Sequence, residues 1–255
     1  MKNVNGFLYL AAVQLALVFA LHLARRKFPV SLTREQQNTF IGPFSFVVTV
    51  YAFLLGFVVV SLWQTFTEAE RSASKEAETL FIVQGLFSQY GARDGEAAVQ
   101  EFAGSIVREE WPAMAEGKTS PATQEKRVRV MAEFRKLSPS SAKEQAIYSE
   151  LSAQIGNAFQ LRQDRLMTSS GTGSMPDVMW VALGYGGLMV LAGLYYLGVG
   201  NQREQTVIDF IVTGILFVTV FLIIQFDSPF QGRLRVTPQA FERIAAQAAP
   251  APPAR

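Results

Sequence analysis

Polar and apolar sequence alternate in long blocks along this chain. Four blocks, residues 6–24, 43–63, 178–199 and 207–226, are almost wholly apolar and hold no Lys, Arg or Glu. Each matches the roughly 20 helical residues that a hydrocarbon core requires. The first runs into Arg25, Arg26 and Lys27. Its length and basic flank predict a retained membrane helix rather than a cleaved signal peptide. The second has no stop signal, because no proline occurs between residues 44 and 90. Ala69, Ala73, Ala77, Leu80, Gln84 and Phe87 continue a stripe at helical spacing beyond it. The pattern predicts one helix of roughly 45 residues, about 70 Å long, with half of it outside the bilayer.

Residues 66–177 form a polar insert that reads as helical, with helices predicted near 66–90, 96–115, 121–137 and 139–170. Ser120-Pro121 and Ser138-Pro139 each place a capping serine before a proline at the first helical position, and Ser141 with Glu144 offers a rival start. Gly91, Gly95 and Gly117 punctuate the gaps. The predicted fold is an all-α integral membrane protein with four transmembrane helices and a helical extramembrane domain between the second and third. Its divisions are 1–65 (first two spans), 66–177 (extramembrane), 178–227 (last two spans) and 228–255, a partly disordered tail ending in Ala/Pro-rich sequence.

Composition agrees: 49% of residues are hydrophobic, only 17% are charged, and Phe numbers 20. With no Cys and one His, neither a disulfide, a thiolate nucleophile nor a multi-His metal site is expected. The net charge of +2, spread without basic runs, argues against nucleic acid as a partner. The insert holds 13 Lys/Arg against 16 Asp/Glu, interspersed as on solvated helix faces. No catalytic constellation or phosphate loop is present, so neither enzyme activity nor a cofactor is expected.

Within the spans, small and polar residues carry the information. Ser45, Thr49, Ala52 and Gly56 recur at steps of four, three and four, opposite Phe46, Val50, Phe53 and Phe57. Close helix packing is the commoner use of such a face, and a water-lined path is the alternative. Gly186, Gly193 and Gly200 recur every seven residues in the third span and read as a packing face. Asp209 lies three residues after Thr206, which predicts a first-turn capping box rather than a functional acid. His22, Trp63, Trp180, Tyr195 and Tyr196 fall where interfacial anchors are expected.

Several motifs resemble one family in order and spacing. They are the second span "YAFLLGFVVVSLW" with Ala69 and Glu76-Ala77, then Glu110-Trp111-Pro112, Arg162-x-x-Arg165-Leu166, Pro176 with Trp180, and Asp227-x-Pro229-Phe230-x-Gly232. Over about residues 41–241 the chain resembles the bestrophin-like family of bacterial membrane proteins. The resemblance implies a distant likeness to bestrophins, pentameric anion channels whose second membrane helix lines the pore and carries a hydrophobic neck. It implies a homo-oligomer, pentamer or tetramer, with Ser45, Thr49, Ala52 and Gly56 facing an axis narrowed by Val60 or Trp63. It also favours a bacterial inner membrane, with the insert and both termini cytoplasmic. The alternative is a non-conducting scaffold or sensor whose protruding helices bind a partner. Pro229 should stop the fourth helix and leave Phe230 at the interface. Asp227 is expected to pair with Arg162 or Arg165, or to meet only water and Arg233.

Overall fold

The structure, a computed structural model, describes residues 2–30, 32–170, 175–198, 201–231 and 234–246. All regular elements among them are helical: α1 (Lys2–Lys27), α2 (Arg34–Tyr90), α3 (Arg93–Ser105), a π-helical turn (Ile106–Glu110), α4 (Trp111–Ala115), α5 (Pro121–Arg135), α6 (Ala142–Ser169), α7 (Asp177–Tyr196), α8 (Gln202–Phe226) and α9 (Gln239–Ala246). The protein is an all-α membrane protein. Among the described residues, α2, α7 and the Arg203–Phe226 part of α8 are long and apolar enough to cross a bilayer.

Several boundaries differ from those expected, each for a local reason. α2 starts at Arg34, nine residues before Pro43, which lies inside the helix. A capping box sets that start: Gln36 N donates to Thr33 Oγ1 (3.3 Å) and Thr33 N donates to Gln36 Oε1 (2.9 Å). Pro43 removes the backbone bond that its missing N–H would have made and crowds the carbonyl four residues earlier, a cost the rest of this long helix absorbs. α6 starts at Ala142 and not at Pro139, because Ser141 accepts from Glu144 N (3.2 Å). The Glu144 carboxylate accepts from Ser140 N (2.7 Å), one residue before the cap, and holds the chain at the entry to the helix. Ser120 caps α5 as its spacing suggests, accepting from Thr123 N (3.2 Å). α2 ends on Gly91 at φ +85°, with Ala92 N donating back to Phe87 O (2.9 Å). That is the left-handed glycine stop which satisfies a helix's last carbonyls.

The chain divides into two compact units: Met1–Leu62 with Met175–Ile224, and Trp63–Ser174 with Gln225–Arg255. In the first, α2 turns Tyr51, Leu55, Val58 and Leu62 inward, to a core that holds Leu183, Val190 and Leu194 of α7 and Ile223 of α8. The Tyr51 hydroxyl donates to Leu183 O (2.7 Å). Glycine makes this approach possible. A Cβ on Gly186 would stand 2.3 Å from the Tyr51 ring, and one on Gly193 would stand 1.8 Å from the Phe44 ring. Gly200, placed on the same face by the seven-residue spacing, lies outside the described residues.

In the second unit the core is Val83 and Phe87 of α2 with Val99, Phe102 and Ala103 of α3, Met114, Val130, Leu151 and Ile155. The segment after α8 joins it. Phe230, expected at the membrane interface, is 1% exposed and packs edge-on to Trp111 with centroids 5.7 Å apart. Part of the expected tail is ordered as well: α9 buries Phe241 and Ile244, and Trp111 Nε1 donates to Val236 O (3.1 Å). These apolar side chains give the segment a core to join. The Ala/Pro-rich end, 247–255, lies outside the described residues.

Substituting Gly193→Ala is expected to cost about 1–3 kcal/mol, since the Phe44 ring must be displaced. Gly56→Ala, where a Cβ meets nothing within 4 Å, is expected to stay within about 0.5 kcal/mol of the parent. Thermal unfolding of both variants in detergent measures the contrast.

Candidate functional site

Three faces run along the membrane part of α2. One is buried, as described above. A second, about 100° around from the small residues and not opposite them as the pattern suggests, carries Phe46, Val50, Phe53 and Phe57, all between 50% and 73% exposed, which suits lipid. The third carries Ser45, Thr49, Ala52, Gly56, Val60 and Trp63, and all six are exposed. Among the described residues, Ser45, Thr49, Ala52, Gly56 and Val60 all stay exposed, so packing within one chain does not occupy that part of the face. The face is polar only in its hydroxyls, and one of them is used locally: Thr49 Oγ1 donates to Ser45 O (2.8 Å). Trp63 belongs to an aromatic cluster of the second unit, edge-on to Phe226 at 5.2 Å and near Phe66 at 6.5 Å.

Asp209 does not cap α8. The helix starts seven residues earlier, where Asn201 Oδ1 accepts from Arg203 N (3.1 Å). The Asp209 side chain is 2% exposed and meets Arg25 of α1 through both guanidinium Nη atoms, one of them at 3.0 Å from Oδ1. Arg25 Nη2 also donates to Leu194 O (2.8 Å), and Gln205 Nε2 donates to Asp209 Oδ1 (2.9 Å). One arginine thus ties α1, α7 and α8 together. The sequence did contain a signal, an acid inside an apolar block, which needs a partner wherever water is scarce.

Arg162 and Arg165 form bonds with Glu110 and Glu76 and not with Asp227, the partner suggested by their place near the end of α6. Helical phase explains it. Leu151, Ile155, Ala158, Arg162 and Arg165 lie on one buried face of α6, so the guanidinium groups point into the core. Arg165 Nε and Nη2 clasp the two oxygens of Glu76 at 2.6 and 3.0 Å, and Nη2 reaches Glu110 Oε1 at 3.4 Å. Arg162 Nε sits 3.0 and 3.1 Å from the Glu110 oxygens, and its Nη1 donates to Gln124 Oε1 (3.1 Å). The Glu76, Glu110 and Arg165 side chains are wholly buried and Arg162 is nearly so. Burial works against the charge on Arg165, but Glu76 and Glu110 outweigh it and hold its pKa above the ordinary value. The arginine also lies 4.9 Å over the Trp111 ring. Two acids and two bases give a neutral set, which is how charge is tolerated in a core.

The two buried clusters pair their charges internally, whereas the small-residue face of α2 is exposed. Asp209→Asn is expected to cost about 2–3 kcal/mol, and Glu76→Gln about 3–5 kcal/mol, because each takes the closest counter-charge from a buried arginine. Pairing the second with Arg165→Met should recover much of the loss. Unfolding midpoints in detergent report each of them.

A family model described as the Bestrophin-like domain matches residues 12–241. Solved structures of a bacterial bestrophin homologue from Klebsiella pneumoniae resemble the chain throughout. One, phased on zinc, is 12% identical, with a TM-score of 0.68 over 94% of this chain and 96% of that one. A point variant of the same homologue is 12% identical, with a TM-score of 0.69 over the same shares. At that identity the likeness shows the fold. No curated protein matches the sequence.

Proposed function

The chain belongs to the Bestrophin-like family, and from that premise we propose that copies of it assemble around an axis lined by α2 and pass small ions across a bacterial inner membrane. One observation carries the proposal. The face made by Ser45, Thr49, Ala52, Gly56, Val60 and Trp63 is open along its length, on a helix whose other two faces are buried or bulky. Small side chains keep a path wide, and hydroxyls tolerate water at membrane depth. Val60 and Trp63, each 54% exposed, narrow it at the end of the stripe. The solved relatives are bestrophin homologues, and bestrophins form oligomeric channels. The resemblance alone would make the ion an anion. We place α1 as a fourth span, residues 66–177 outside the bilayer, and that domain and both termini in the cytoplasm.

Purified protein in liposomes is expected to form a closed oligomer of four or five copies and to conduct. Gly56→Trp is expected to leave the unfolding midpoint near the parent's and to cut ion flux by about tenfold or more, since the new ring enters the path. An intact oligomer without conductance, or a dimer without a solvated axis, sinks the reading. The chain has no native Cys, so Ser88→Cys, at an exposed position of α2, provides a clean topology probe. It is expected to be shielded from an impermeant thiol reagent in intact cells and to react in inverted vesicles.

A further inference from the structure

The buried charge cluster of the second unit leaves one donor over. Arg165 uses all three guanidinium nitrogens, Nε and Nη2 on the two glutamates and Nη1 on the Met114 sulfur (2.7 Å). Arg162 directs Nε to Glu110 and Nη1 to Gln124 Oε1, and its Nη2 makes no hydrogen bond among the described residues. The Arg162 side chain is only 6% exposed, yet Nη2 is not sealed in the core. Arg162 lines a hollow of about 390 Å³, and Nη2 is the guanidinium nitrogen free to reach it.

Other donors surround the same space. An arginine can only donate, so the atom of Gln124 that Arg162 meets is the amide oxygen, and the amide NH2 group is left without an acceptor among the described residues. Thr119, Ser120 and Pro121 bring in the N-terminal end of α5, a helix of 15 residues, whose macrodipole favours negative charge. The helix end alone would not make a site, but a buried guanidinium with a free nitrogen faces the same hollow. No carboxylate lines it. By contrast, Glu70 and Glu78 line the groove beside α9, and Glu68 and Asp164 line the hollow beside Trp63, so an anion in either would meet like charge.

We infer that this hollow binds a phosphate group, either as free phosphate or as the monoester headgroup of phosphatidic acid. Donors reach it from a guanidinium, an amide and a helix end, which suits an anion with several oxygens better than a spherical halide. Glu110 holds the Arg162 guanidinium in place before any ligand arrives, so little ordering is left for binding to impose. The site lies wholly within the second unit and does not depend on the channel reading.

The test is calorimetric titration of the full-length protein with sodium phosphate, in a detergent without phosphate groups and at fixed ionic strength. The expected result is saturable binding at a single site per copy, competed by sulfate and not by chloride. Gln124→Glu keeps an acceptor for Arg162 but replaces the free amide with negative charge. It is expected to unfold at or above the parent's midpoint and to weaken phosphate about tenfold or more. Gln145→Glu, exposed on α6 and outside the hollow, changes the net charge equally and is expected to keep the affinity within about twofold. Nanodiscs with and without phosphatidic acid separate the two sources. Titration with inorganic phosphate in both discs assigns the free anion, and a midpoint raised only by phosphatidic acid assigns the lipid; in either case Gln124→Glu removes the response. Silence toward both probes, a response unchanged in Gln124→Glu, or chloride competing as strongly as sulfate overturns the inference. An oligomer that binds phosphate but does not conduct sinks the channel reading and leaves this site standing.

Discussion

A helix of 57 residues can bury one side along its length only if its inward side chains recur in phase with the backbone. α2 keeps that phase. Tyr51, Ala69 and Phe87 are buried at intervals of 18, as are Leu55 with Ala73, Val58 with Glu76, and Leu62 with Leu80. The same interval that holds the inward face fixes the open one, because the two faces are rigidly offset on one backbone. The phase also explains why Glu76 needs Arg165. It occupies a position where the repeat calls for an apolar side chain, and no rotation of α2 removes it from the core without exposing Leu80 and Ala73.

Much of this architecture was legible in the sequence, because the signals that carry it are local. Apolar blocks of membrane length, the absence of proline from residues 44–90, and the serine before Pro121 each act within a turn or two. The misreadings share one cause, which is that the deciding partner lies far along the chain. Arg25 and Asp209 are 184 residues apart, and each has an adequate local explanation as a basic flank and a helix cap. The nearness of Arg162 and Arg165 to the end of α6 suggests Asp227 as their partner, whereas their phase with Leu151 and Ile155 governs where they point. Phe230 and Phe241 follow a helix-stopping proline, and composition alone suggests a loose tail. Only the apolar hollow beside Trp111 makes them core residues. The small face of α2 was visible in outline, but its being open or packed depends on neighbours that the pattern does not name. Gly186 and Gly193 were visible as small, and only the structure supplies the Tyr51 and Phe44 rings that require it.

The two charge clusters raise the question of why polar groups stand where apolar ones would pack. A buried ion pair adds little net stability over a hydrophobic pair of the same volume, since desolvation offsets most of the attraction. Its distinctive effect is on the alternatives. Apolar helices have little to resist a one-turn slip of about 5.4 Å, because leucine meets leucine in either register. With Arg25 clasping Asp209 and the Leu194 carbonyl, such a slip strands a carboxylate among apolar side chains. The same holds for α6 against α2, where a slip would part Arg165 from Glu76. An open face along α2 is useful only if every copy presents it at the same height and angle. The paired charges oppose such slips, and the proposed path along that face depends on their doing so.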